Sequence, residues 1–271
     1  MTTPPMPVSL PTRKPASRGL RMARVIMALT LREMSSRYGR SPGGYIWAIL
    51  EPLGGIFVMA LGFSLLVRSP PLGTSFLLFY ASGFTAFNLY QGISNTVARA
   101  IAFSKQLLSY PAVSWLDAIL ARFILNSLTG IMVGYITIVS ILVITGERPN
   151  LDVGPLIEGL LLTLLLGLSV GTLNCALMGV ISVWDQIWSI ATRPLFIISG
   201  VFFLYDTLPQ TIQDILWFNP LLHIVGLMHM GFYPTYHPVH ISPLYVIMVS
   251  LGMLFLGLVL LGRYHRDILN R

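Results

Sequence analysis

The chain has 271 residues, of which 55% are hydrophobic and only 10% are charged, whereas soluble domains carry about a quarter charged residues. A soluble fold of this size could not bury so much apolar surface, so the composition excludes a soluble protein and predicts an all-α integral membrane protein. The net charge of +7 would suit nucleic acid, but its distribution along the chain, described below, indicates membrane orientation instead. The single cysteine, Cys175, excludes an intrachain disulfide.

Residues 1–19 predict a disordered cytoplasmic tail, because they are rich in proline and hold no apolar run. They also lack the apolar stretch and cleavage site of a secretory signal, so we expect the first hydrophobic helix to remain in the mature protein.

Residues 20–41 predict an amphipathic helix that lies in the cytoplasmic interface of the membrane. Apolar side chains recur every three or four residues along one face, and arginines follow the same rhythm along another. The apolar set is Leu20, Ala23, Met27, Leu31, Met34 and Tyr38, and the basic set is Arg21, Arg24 and Arg32. The pattern leaves open whether this helix is only an anchor or has a mechanical role.

The stretch that follows redirects the chain into the bilayer. Arg37 and Arg40 precede the Pro42-Gly43-Gly44 turn, which should break the surface helix. Trp47 then lies at headgroup depth, where amphipathic rings are favoured. Glu51 lies just inside the membrane, so we expect it to be paired, protonated or turned toward a wet protein interior.

Six segments within 42–271 have the length and apolarity of transmembrane helices. They are 45–67, 76–98, 115–144, 156–182, 188–205 and 243–262, the fifth beginning at Arg193-Pro194 or slightly before. An even number of spans places both termini on one side. Lysine and arginine concentrate near the termini and in the loop after the second span, and 206–242 holds none, so both termini are predicted to be cytoplasmic.

Polar and aromatic side chains line one face of the second predicted span. Amides and aromatic rings at helical spacing could offer hydrogen bonds and ring faces to sugars, but asparagine and glutamine also join membrane helices to one another whatever the function. This candidate substrate conduit consists of Tyr80, Phe84, Phe87, Asn88, Gln91, Asn95 and Arg99, with Glu51 added from the first span.

Two further features lie on the predicted cytoplasmic side. Asp117 with Arg122, and Asp185 with Arg193, are interpreted as interfacial ion pairs. The loop 99–114 could form a short helix that receives force from a soluble motor, or it could be a simple connector.

The segment 206–242 is too broken by prolines to span the membrane, which indicates short helices that dip into or lie along the outer leaflet. It could be a re-entrant gate or a surface cap. His237 and His240 lie there without acidic or cysteine ligands at metal-binding spacing, so no metal site is predicted. The sequence has no phosphate-binding loop and no hydrolase motif, which predicts that the chain is not itself an enzyme.

Several short motifs, in order, resemble those of ABC-2 type permeases that export polysaccharides, and above all of the KpsM-like capsular polysaccharide exporters. O-antigen and teichoic acid permeases are similar as well. The resemblance covers roughly 20–270. It is carried by Arg32-Glu33, Arg37-Tyr38, Ser41, Gly44, Trp47 and Pro52, then by Ser199-Gly200-Val201, Leu208-Pro209, Asn219-Pro220 and His223.

The resemblance implies a role for each region in a bacterial inner-membrane exporter. The amphipathic helix would lie near an ATPase, and the loop 99–114 would contain the coupling helix, with Ala102, Phe103, Ser104, Lys105, Gln106 and Leu107. The segment 206–242 would form the outer gate, with Leu208, Pro209, Asn219, Pro220 and His223. Two copies would form the conduit, and two separate subunits would bind ATP and Mg²⁺, so this chain needs no cofactor. A periplasmic co-polymerase and an outer-membrane channel would extend the path.

The sequence departs from the family pattern after Asn219-Pro220. An acidic residue and then an arginine are expected there, but Gly226 and His229 occupy those positions. If the missing charges hold the gate in relatives, this protein must close it by other contacts.

The expected function is therefore ATP-driven export of a lipid-linked, anionic capsular polysaccharide. Arginines on the surface helix would gather the phosphate of the glycolipid at the substrate entrance; with Trp47, they are Arg21, Arg24, Arg32, Arg37 and Arg40. The alternatives are a permease for O-antigen or teichoic acid glycolipids, a drug exporter with an apolar conduit, a membrane scaffold, and an intramembrane enzyme that uses the histidines.

Overall fold

A computed structural model describes residues 18–38, 44–66, 70–108 and 113–270. Within these ranges the chain is helical, without strands, as predicted. The helices are α1 (Arg18–Tyr38), α2 (Gly44–Leu66), α3 (Phe76–Ala98), α4 (Ala100–Leu108), α5 (Trp115–Thr145), α6 (Val153–Val180), α7 (Trp184–Ile198), α8 (Gln210–Leu216), α9 (Pro220–Phe232) and α10 (Pro243–Asn270), with a 3₁₀ turn at Tyr205–Thr207. The predicted tail up to residue 17, the turn at Pro42-Gly43, Arg40 and Pro111 lie outside the described residues.

Helices α3 and α6 form the centre of the protein. Helix α3 packs against α2, α5, α6 and α9, and α6 packs against α3, α9 and α10. Glycines on α6 allow the close approach, because a Cβ at Gly171 would lie 2.7 Å from the Cβ of Val97. Small residues at helix interfaces are typical of membrane bundles, where packing rather than the hydrophobic effect joins the helices.

Three helices, α5, α6 and α10, are long and apolar enough to cross a membrane alone, and α8 with α9 forms an apolar pair bent by 104°. The described helices overlap all six predicted spans. Helices α3 and α7, and the part of α2 whose side chains are described, do not meet that test alone, so the count of six stays a prediction. In α3 the polar residues of the stripe lower the hydropathy. Helix α7 has 15 residues, about 22 Å at the α-helical rise.

Helix α7 differs from the predicted fifth span in its bounds. The helix begins at Trp184 and ends at Ile198, with Pro194 in its interior, so the prediction of a start near Arg193-Pro194 and an end at 205 was wrong. A glycine explains the early end, since Gly200 has a φ of +79°, a left-handed conformation that side chains disfavour.

Helix α1 has three faces rather than two. Met27 and Leu31, on the predicted lipid face, are exposed, and so are Arg24 and Arg32 on the basic face. The third face, which the sequence pattern did not single out, packs against α5; its residues are Met22, Val25, Ile26, Leu29 and Glu33. The side chains of Arg21 and Arg37 are outside what the structure describes.

Candidate functional site

A cavity of about 550 Å³ runs between α3 and α7, and we call it the polar groove. Helix α3 contributes the predicted stripe and α7 contributes a second stripe opposite. The lining residues are Phe84, Phe87, Asn88, Gln91, Asn95 and Arg99 from α3, and Asp185, Trp188, Ser189, Thr192, Arg193 and Phe196 from α7. The structure therefore brings six of the predicted conduit residues to one cavity.

The amides of the stripe are accessible in the groove. Asn88 and Asn95 are exposed and Gln91 is half-buried. The spacing of these residues places them on one face of α3, while the opposite faces of the helix are covered by α5, α6 and α9. Amides at these positions can donate and accept hydrogen bonds in place of water.

Tyr80 departs from the expected stripe. Its side chain is only 1% exposed and packs against Phe84 at 5.5 Å and Phe202 at 5.1 Å between ring centroids. It belongs to the core because α3 continues past the groove into contact with α9 and the loop after α7.

Aromatic rings form one wall of the groove. Phe196 of α7 lies 4.9 Å from Phe87 and 6.1 Å from Phe84 between ring centroids. Edge and tilted contacts of this kind hold the rings in place. Phe84 and Phe196 stay partly exposed, whereas Phe87 is only 3% exposed. The groove thus combines fixed aromatic surface with accessible amides.

The charges of the groove are paired differently from the prediction. Arg99 Nη2 lies 3.1 Å from Asp185 Oδ1, across the end of the groove next to α4, whereas Asp185 was predicted to pair with Arg193. Both partners are more than half exposed, so the pair contributes little stability and can exchange for another charged ligand. Arg193 also lines the groove, which leaves two arginines beside one aspartate.

Glu51 lines a second cavity rather than the polar groove. This cavity, about 410 Å³, lies among α2, α3 and α5, and Phe84 and Asn88 border both cavities. Asn126 and Thr129 add polar groups to it. Glu51 was expected to be paired, protonated or turned toward a wet protein interior. In the structure it lines a polar cavity, which agrees with the third of these environments.

The α7 half of the groove was not predicted from the sequence, although a signal was present. Asp185, Ser189, Thr192 and Phe196 follow 4,3,4 spacing, the rhythm that identified the stripe on α3. Asp185 and Arg193 were interpreted as an interfacial ion pair, and the helix face between them was therefore missed.

The loop 99–114 contains the short helix α4, which holds all six predicted coupling residues. Ala102, Phe103, Lys105 and Gln106 are exposed, whereas Ser104 is buried against the protein. A short helix with an exposed side that includes a 59% exposed phenylalanine is suited to docking on another protein.

Arg122 of α5 joins four helices. It pairs with Glu33 of α1 at 3.2 Å, donates to the Thr96 carbonyl oxygen of α3 at 2.9 Å, and lies 4.2 Å from the ring centre of Phe103 of α4. The predicted pairing of Arg122 with Asp117 was wrong, because Asp117 instead forms a capping box with Ser114 at the start of α5.

The predicted outer-gate residues lie just before α8, at the bend between α8 and α9, and in the first turn of α9. Leu208 accepts a hydrogen bond from the Gln213 amide, Pro209 precedes α8, and Asn219 and Pro220 begin α9. His223 donates from Nε2 to the Trp217 carbonyl oxygen and accepts at Nδ1 from the Ser242 backbone amide. These two contacts fix a neutral imidazole that joins α9 to the loop before α10.

His229 and Gly226 provide the contacts at the positions where charges were expected. The His229 ring stacks on Phe79 at 4.6 Å and lies 2.9 Å from Ser82 Oγ, while its Nε2 lies 3.3 Å from the Gly200 carbonyl oxygen. A Cβ at Gly226 would lie 2.8 Å from Ile241. Stacking, hydrogen bonds and close packing, rather than charges, are the contacts at these two positions.

His240, in the loop before α10, contacts the 3₁₀ turn at Tyr205–Thr207. Its ring stacks on Tyr205 at 3.9 Å, and its Nδ1 lies 3.4 Å from Asp206 Oδ1, which is long for a hydrogen bond. Burial lowers the pKa of His240, Asp206 acting in the opposite direction. Within the described ranges, no three histidine, cysteine or acidic side chains gather as metal ligands.

Comparison with known proteins gives a family match over most of the chain. The profile described as ABC-2 type transporter matches residues 24–233. The chain is 31% identical over 238 residues to the polysialic acid transport protein KpsM of Escherichia coli, covering 87% of this chain and 91% of KpsM. It is 27% identical over 247 residues to the capsule polysaccharide export inner-membrane protein CtrC of Neisseria meningitidis (90% and 92%) and 28% identical over 249 residues to BexB of Haemophilus influenzae (90% and 92%).

Proposed function

Because the chain belongs to the ABC-2 type transporter family, we propose that it is the transmembrane subunit of an ATP-driven exporter. Its cargo is a lipid-linked capsular polysaccharide, which it moves from the cytoplasm across the bacterial inner membrane. Relatives that cover nine-tenths of the chain are named for capsule polysaccharide export at the inner membrane. The polar groove is the observation in the molecule that carries this proposal.

The groove suits a glycan better than an apolar drug. Pyranose rings present both hydroxyl groups and apolar faces, which match amides and aromatic rings respectively. Asn88, Asn95 and Gln91 supply the amides, and Trp188 and Phe196 supply ring surface. Since the groove is open along its length and its only ion pair among described residues is exposed, a polymer can slide through without one tight site.

The charge of the groove favours an anionic polymer. Arg99 and Arg193 outnumber Asp185, so the lining carries one net positive charge per chain, and a second copy would double it. Arg24 and Arg32 are exposed on α1, where they would attract the phosphate of a glycolipid at the substrate entrance.

The assembly that follows is a homodimer with both termini in the cytoplasm and six spans per chain. None of the fifteen residues of α7, all described, is buried, which supports a second copy facing this helix and closing the groove. Two ATP-binding subunits, which supply ATP and Mg²⁺, would dock on α4. A periplasmic co-polymerase and an outer-membrane channel would receive the polymer beyond the bend at α8 and α9.

The proposal is tested by co-purification and export. The chain is expected to co-purify with the ATPase encoded beside it, and to restore surface polysaccharide to cells from which its gene has been removed. Asn88→Leu with Asn95→Leu should lower surface polymer at least about tenfold, since hydroxyl groups then lose their partners in a desolvated path. Asn150→Leu, at an exposed loop asparagine, is the matched control.

Three results would contradict the proposal in distinct ways. If the wild-type chain neither binds an ATPase nor supports surface polymer, the proposal that it is a transporter subunit is refuted. Normal export by the Asn88 and Asn95 variant would show that the groove is not the path. Efflux of an apolar dye without any dependence of surface polymer on the chain would favour the drug exporter.

A further inference from the structure

We propose that Arg122 is the positioning residue that carries the movement of α4 to α1 and α3 together. This inference rests on the proposed function, because it concerns how a partner's ATP-driven movement reaches the polar groove. We call Arg122 and three of the residues that it contacts, Glu33, Thr96 and Phe103, the arginine clamp.

The clamp has one contact on each of three helices. Phe103 projects from α4, is 59% exposed and lies beneath the guanidinium at 4.2 Å. Thr96 belongs to the last turn of α3, between the groove residues Asn95 and Arg99, and its carbonyl oxygen accepts from Arg122. Glu33 on α1 takes the other guanidinium nitrogen. A partner that displaces Phe103 therefore displaces a group bonded to both other helices.

Burial makes the clamp a rigid connection. The side chains of Arg122 and Glu33 are 7% and 11% exposed, unlike the open pair of Arg99 and Asp185. Separating a buried ion pair leaves two unpaired charges away from water, which is far more costly than separating an exposed pair. The planar guanidinium can also stack and bond in two directions at once, which an ammonium cannot.

A small cavity beside the clamp gives it room to move. About 70 Å³ lies among α1, α4 and α5, bordered by Glu33 and Phe103 and by the small side chains of Ser104, Ala118 and Ala121. Close-packed interfaces resist gradual deformation, whereas an adjacent cavity allows a helix such as α4 to shift without collision.

The polypeptide backbone cannot carry the movement of α4 to α1 in place of the clamp. Helix α4 follows α3 after the single residue Arg99, so a push on α4 reaches α3 directly. Helices α2 and α3 separate α1 from α4 along the chain, and α1 packs against α5. Movement of α1 with α4 is therefore the property that depends on Arg122.

The test measures α1 and α4 in the assembled complex with its ATPase. Spin labels are placed at Ala28→Cys and Ala102→Cys, both exposed, while the native Cys175 is buried. The wild-type clamp should give one narrow distance distribution with and without trapped nucleotide. Arg122→Lys and Glu33→Gln should broaden it in the trapped state, and Arg263→Lys, an exposed arginine over Tyr264, should not.

Coupling is then measured as surface polysaccharide relative to ATP turnover. Arg122→Lys should lower this ratio about tenfold, a usual size for coupling between sites. Glu33→Gln should lower it less, because Arg122 keeps its contacts with α3 and α4. Thermal unfolding and co-purification with the ATPase establish that each variant is assembled.

Three outcomes would overturn the inference. An unchanged ratio in Arg122→Lys, with export and ATP turnover both at wild-type level, shows that the covalent path suffices. Proportional loss of export and ATP turnover shows that Arg122 only stabilises the fold. A wild type that neither binds an ATPase nor supports export removes the proposed function as well, and this is seen before any variant is compared.

Discussion

Asn219 is expected to stabilise the bend between α8 and α9 through three side-chain hydrogen bonds. Substitution by aspartate removes two of them and keeps the third. Its Oδ1 accepts from the Leu221 backbone amide at the start of α9. Its Nδ2 donates to the Ile198 carbonyl oxygen at 3.2 Å and to Ser199 Oγ at 3.3 Å. The residue therefore both caps α9 and attaches it to the end of α7.

The magnitude follows from these contacts. Loss of a helix cap costs about 1 kcal/mol, and each long, partly exposed hydrogen bond contributes roughly 0.5–1 kcal/mol. Asn219→Ala should therefore destabilise the start of α9 by about 2–3 kcal/mol. Asn219→Asp keeps the cap acceptor and loses both donors, so it should cost about 1–2 kcal/mol.

Hydrogen–deuterium exchange of peptides at the start of α9 measures this local free energy. The protection factor should fall about 30- to 150-fold in Asn219→Ala, since about 1.4 kcal/mol corresponds to tenfold. Asn219→Asp should lie between that variant and the wild type, and Asn150→Ala should match the wild type. Equal losses in the alanine and aspartate variants would refute the capping contribution.

Two further predictions concern the packing of α10 and the outer histidine. Gly257→Ala should destabilise the protein by about 1–3 kcal/mol, because the new Cβ would lie 2.8 Å from the Leu173 backbone nitrogen. Gly252→Ala is the control and should not destabilise the protein, because the space around Gly252 is open. Thermal unfolding in detergent compares the two variants. Burial lowers the pKa of His240, so the unfolded segment binds the proton more readily, and the contact is fully present above about pH 6.5 and weakens below it. Exchange protection of 233–242 should therefore fall between about pH 7.5 and pH 5, and His240→Gln should abolish this dependence. A dependence that persists in the variant would show that His240 is not its source.

The helices themselves could be predicted because each depends on local pattern. The second predicted span, 76–98, coincides with α3, and the spacing of Asn88, Gln91 and Asn95 correctly placed them on one face. Helical periodicity is set by backbone geometry, which any sequence shares. The same periodicity failed at Tyr80, since the environment of a face changes along a helix as its neighbours change.

The partners of charged groups could not be predicted, because pairing depends on which helix faces meet. The sequence analysis chose neighbours on the same helix, Asp117 for Arg122 and Arg193 for Asp185. In the structure Arg122 reaches Glu33 on α1, and Asp185 reaches Arg99 at the end of α3. Long, flexible charged side chains pair with the opposite charges that the packing of α1, α3 and α7 places within their reach.

Hydropathy and helical periodicity act within a single segment, so they were enough to predict a membrane protein, its helical elements and the polar stripe of α3. The tertiary structure alone decided that α7 supplies the second wall of the groove, that Glu51 faces a separate cavity, and that Arg122 joins four helices. These arrangements depend on the relative positions of helices far apart in sequence. Contacts between helices set such positions, as where α6 packs closely on α3 at Gly171, and no single segment encodes them.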